Sequence, residues 1–146
     1  MPDPERRRQS STTLALGAIV HASAAPYGYT VSLWSSGAIL IHFHPQPNVG
    51  EVFLFASGAL AGFTLLGLLA QPTLRAAPPP EPGPERVLAG ALHWFAVGIA
   101  VGAVVLIAQI PSWADWVLGS FAATSLYLLV ASLQLAFVRR WLGGGP

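Results

Sequence analysis

Residues 12 to 43 form 32 consecutive positions without a formal charge, interrupted in the middle by Ala25-Pro26-Tyr27-Gly28-Tyr29. One helical crossing of a bilayer takes roughly 20 apolar residues at ~1.5 Å per residue. Thirty-two is too many for one straight crossing and too few for two crossings with a turn. Pro26 lacks a backbone N–H, and its ring clashes with the carbonyl four residues back. The sequence therefore predicts one long first helix, broken near Pro26, and poses the question of whether the break is a kink or a binding site.

The rest of the chain repeats the same chemistry. Of 146 residues, 53% are hydrophobic and only 9% are charged, against about 25% charged in soluble domains. Further apolar runs span 52–70, 87–108 and 116–138, lengths of 19, 22 and 23 residues that each suit a crossing. The expected fold is an all-α integral membrane protein, a bundle of four transmembrane helices in a single domain over 12–142. Tails cover 1–11 and 143–146, and a Pro-rich loop covers 71–86. That loop, QPTLRAAPPPEPGPER, holds six prolines and reads as a stiff extended spacer.

Arginine positions orient the bundle. All seven basic residues are arginines, at 6, 7, 8, 75, 86, 139 and 140. With both termini cytoplasmic, every one of them falls inside, as the positive-inside bias requires. Arg6-Arg7-Arg8 ahead of an apolar run and Ala22-Ser23-Ala24 also resembles a signal peptide. Cleavage there would invert the chain and turn Arg75, Arg86, Arg139 and Arg140 outward, so retention is the expected outcome. The arginine, alanine, glycine and proline bias points to a GC-rich, bacterial coding sequence, and the expected location is the cell inner membrane. Trp113 and Trp116 then fall at the outer interface, and Trp94 and Trp141 near the inner one.

Several chemistries are excluded or disfavoured. The chain has no cysteine, so it offers no disulfide, thiolate nucleophile or Cys-ligated metal. A net charge of +1 without a basic stripe argues against nucleic acid. No phosphate-binding glycine loop and no G-x-S-x-G occurs, so no enzyme is expected. Asn48-Val-Gly-Glu51 reads as a capping box opening the second helix, and Ser112-Trp-Ala-Asp115 as a related cap opening the fourth. Those readings leave no buried acid for carboxylate-driven transport.

The remaining candidates are polar groups at membrane depth. Tyr27, Tyr29, Ser32 and Ser36 follow the break, and Tyr127 lies near the middle of the last helix, forming a candidate ligand or ion site. Interrupted helices expose backbone to substrates in transporters, whereas in structural bundles Ser and Thr satisfy the freed carbonyls. His42 and His44 form an H-x-H pair near Glu51, a candidate divalent-metal site. His21 and His93 fall at similar depth and are candidate axial ligands of a haem. Gly58-x-x-x-Gly62 and Gly98-x-x-x-Gly102 predict close helix packing. The functional expectation is a non-catalytic structural or accessory protein, a homo-oligomer or a subunit of a larger membrane complex, with the lipid bilayer as its constant partner and no required cofactor. The alternatives are a small transporter or channel at the broken helix, and a b-type haem protein.

Overall fold

The computed structural model describes residues 27–76, 93–110 and 112–143. They form four helices and no strand: α1 (27–43), α2 (Val49–Ala76), α3 (His93–Ile107) and α4 (Asp115–Gly143). Pro26, where the first helix was expected to break, lies outside the described residues, as do residues 1–11 and 144–146 of the tails and the prolines from 78 onward. The chain is helical from Tyr27 on.

Two of the helices, over Val49–Ala70 and Asp115–Val138, are long and apolar enough to cross a membrane. The described part of α3 has 15 residues, short of a crossing. Four spans are thus an expectation that the described residues carry only for α2 and α4. Both of those helices run further than their apolar cores predict. α2 continues through Pro72 to Ala76, so the loop starts later than residue 71. A proline removes one N–H and frees one carbonyl, a local loss that the rest of a 28-residue helix tolerates. α4 continues past Val138 through Arg139, Arg140 and Trp141; a long arginine reaches water from the end of an apolar helix while its backbone stays helical.

α4 is the hub. Gly28 and Tyr29 of α1 meet Tyr127, Leu40 meets Gly119, and His44 meets Asp115, so α1 runs antiparallel to α4. His93 of α3 meets Tyr127 and Val104 meets Gly119, giving the same antiparallel sense. Gly58 of α2 meets Ser120 and Gly62 meets Thr124, so α2 runs parallel to α4. The order is up-down-up-down, with short connections at 44–48 and 108–114.

The buried rows have helical spacing. α1 turns Gly28, Ser32, Ser36 and Leu40 inward, one residue every four, and α3 turns in Ala96, Ala100 and Val104, a row that Ala108 continues just past its end. Residues four apart lie on one face, and small ones let helix backbones approach. The approach is closest at Gly58, where an added Cβ would collide with the Val117 carbonyl oxygen and Ser120 Oγ. At Gly62 it would stand 2.9 Å from Ser125 Oγ and 3.1 Å from the Phe121 carbonyl oxygen. One cluster of core residues, Leu40, Val104, Ala108, Trp116 and Ala123, fills the end of the bundle near the two short loops. A second, around Ala96, Ala100 and Tyr127, fills the middle.

Large apolar side chains cover much of the outside of the described residues. Trp34, Phe53, Leu60, Leu68, Leu69, Trp94, Phe95, Leu133 and Phe137 are all exposed. Only 17% of α2's apolar window and 22% of α4's is buried within the chain, where the core helix of a soluble protein would be mostly covered.

Candidate functional site

Among the described residues, buried polar side chains gather at the loop end and in the middle of the bundle. The first centres on Asp115. The α1 backbone closes its last turn with the His44 N–H donating to the Leu40 carbonyl at 2.8 Å. Past His44, the Pro45-Gln46-Pro47 turn holds Gln46 at φ 70°, the left-handed region, and the chain reverses there into α2. This geometry leaves the His44 ring facing the start of α4. Its Nε2 lies 2.7 Å from Asp115 Oδ2, with the Asp115 side chain 1% exposed and that of His44 25%. The other carboxylate oxygen, Oδ1, accepts the Trp116 N–H at 3.0 Å. Ser112 Oγ accepts the Ala114 N–H at 3.2 Å. The carboxylate thus sits in the first turn of α4, where the helix dipole favours a negative charge, and faces the imidazole at the end of α1 without a hydrogen bond among the described residues.

This corrects the expectation that no acid is buried. Asp115 does occupy the start of α4, as its place in the sequence predicted, but it is also the inward partner of His44. His42 and His44 do not converge with Glu51 on a metal. The His42 residue is exposed, its ring edge-on to Phe43 at 5.5 Å. Glu51 instead completes the capping box: its Oε2 accepts the Asn48 N–H at 2.8 Å, and Asn48 Oδ1 accepts the Glu51 N–H at 3.1 Å. Among the described residues no three His, Asp or Glu side chains come together.

The second group joins residues from three helices. Tyr127 of α4 stacks obliquely between Tyr29 of α1 and His93 of α3, each ring centroid 5.9 Å away. The Tyr29 hydroxyl lies 3.4 Å from Thr124 Oγ1, a long contact. His93 Nδ1 is buried and has no hydrogen-bond partner among the described residues. Two sets that the sequence kept apart, the tyrosines of the ligand site and a histidine of the haem pair, are here one cluster. His21, the other proposed haem ligand, lies outside the described residues. Because the Tyr29 contact is long, Tyr29→Phe is expected to cost at most about 1 kcal/mol, within the ~0.5–1.5 kcal/mol of a neutral hydrogen bond; a thermal unfolding series in detergent measures it.

The serines of the candidate ligand site turn elsewhere. Ser32 Oγ donates to the Gly28 carbonyl at 3.0 Å and Ser36 Oγ to the Ser32 carbonyl at 2.7 Å. Both residues are fully buried, and each hydroxyl is satisfied by its own helix. Tyr27 points away from the bundle and is 68% exposed. Apolar surface grooves among the described residues include one between α1 and α2 at Trp34, Gly37 and Phe55, and one between α2 and α4 at Leu66, Gly67 and Leu128. Neither is lined by Tyr29, Ser32, Ser36, Thr124, Tyr127 or His93.

The glycine pairs part company. Gly58 and Gly62 press on α4, whereas Gly98 and Gly102 have nothing within 4 Å of a Cβ placed on either among the described residues. The face of α3 that packs is the alanine row at 96, 100 and 108 with Val104, a small-residue spacing present in the sequence beside the glycines. The His44–Asp115 contact had a weaker signal: an acid at a helix start and a histidine at a helix end, on segments that a short-loop bundle places at the same level. No protein-family model, curated protein or solved structure matches the chain.

Proposed function

We propose that this is a multi-pass protein of the cell inner membrane, with four crossing helices and both termini cytoplasmic, serving as a non-catalytic structural or accessory subunit that assembles with itself or with a larger membrane complex. The observation that carries the reading is the use made of the mid-bundle hydroxyls. A transport path needs polar groups turned toward water, and Ser32 and Ser36 spend theirs on the helix that bears them. The apolar exterior supports the membrane location, because lipid is the solvent in which such a surface is not a liability. The helix directions support the orientation. They put Arg75 and Arg140 at one end of the bundle, with Glu51, Asp115 and the loop histidines at the other, the separation that the positive-inside rule asks of a cytoplasmic and an outer face. The open Gly98–Gly102 face on α3 supports assembly.

A second reading, a small transporter or a haem protein, draws on His93 Nδ1, buried beside Tyr127 without a partner among the described residues. Cysteine substitution separates the two in this naturally cysteine-free chain. Ser32→Cys and Ser36→Cys are expected to resist a membrane-impermeant thiol reagent in intact cells and in inverted vesicles, while Gln46→Cys in the exposed loop reacts in intact cells. Reaction at residue 32 or 36 from either side would replace the structural reading with the transport one.

A further inference from the structure

We draw no further inference here: the strongest candidate, the side-chain cluster of Tyr29, His93 and Tyr127 between α1, α3 and α4 in the middle of the bundle, belongs to the site already described, and nothing in the structure shows what it would hold.

Discussion

Gly58→Ala is expected to destabilise the protein by about 3 kcal/mol or more, at or above the upper end of the ~1–3 kcal/mol usual for overpacking. One methyl group has this effect because of what it meets. The obstacle is the Val117 carbonyl oxygen, with Ser120 Oγ beside it. A flexible side chain can rotate away from an added carbon, but a carbonyl within α4 moves only if the helix moves. Ser120 is tied down as well, donating to the Trp116 carbonyl at 3.0 Å. Relief therefore requires α2 to shift away from α4, which removes the contacts of Gly62 with Phe121 and Thr124 in the same motion. Gly102→Leu, a far larger change, is expected to leave the thermal stability of the monomer nearly unaltered, since among the described residues no atom of another helix lies within 4 Å of its Cβ position. Its effect belongs to assembly and should be seen as a change in detergent-solubilised mass. Thermal unfolding of the two variants side by side decides the matter. A wild-type melting temperature for Gly58→Ala would mean that α2 and α4 do not meet at this residue.

That contrast marks where the sequence was legible and where it was not. Both glycine pairs have the same spacing and lie in equally apolar runs, so both predicted packing. On α3, however, two rows compete: Gly98 and Gly102 on one side, Ala96 and Ala100 on another. The α3 residues are nearly all apolar, so no amphipathic pattern says which row turns inward. The outcome depends on α4, whose Tyr127 requires small neighbours at Ala96 and Ala100. Local features were easier to read. The Asn48–Glu51 capping box lies within four consecutive residues, and its two hydrogen bonds form as the residue types predict. Helix existence followed from apolar length, but helix ends did not, because Pro72, Arg139 and Arg140 look like stops and are instead carried inside longer helices.

The candidate site shows the same division. Ser32 and Ser36 were visible as polar residues at membrane depth, yet a serine in a helix either faces a cavity or donates to the carbonyl four residues back. Sequence alone does not choose between them; here both donate backward. Tyr29, Tyr127 and His93 were each singled out for separate reasons, and only the antiparallel arrangement of α1 and α3 against α4 brings them into one cluster. Asp115 was assigned the role its local sequence supports, and its second role came from a residue on another helix.

His44→Leu is expected to lower stability by about 3 kcal/mol, the upper end of the ~1–3 kcal/mol for leaving a buried polar group without its partner. The upper end applies because both contacting atoms, His44 Nε2 and Asp115 Oδ2, are buried although the His44 side chain as a whole is 25% exposed. What His44→Leu leaves behind is a carboxylate at 1% exposure whose Oδ2, which makes no hydrogen bond among the described residues, has also lost the imidazole 2.7 Å away. Asp115→Leu removes the charge instead, and also the Trp116 N–H acceptor at the start of α4, a capping loss of about 1 kcal/mol. It leaves an imidazole that can turn toward water, so its total cost should be smaller than that of His44→Leu. In the double variant neither polar group remains to be desolvated, and two leucines can pack against Ala108 and Trp116 at that end of the core. Replacing both partners by apolar groups is often close to neutral, so the double variant should retain only the capping loss and be more stable than His44→Leu alone. Equilibrium unfolding of the four proteins gives the coupling energy directly. Strictly additive losses would show that His44 and Asp115 do not act on each other, and that the end of α1 is held to α4 by Leu40 and its apolar neighbours instead.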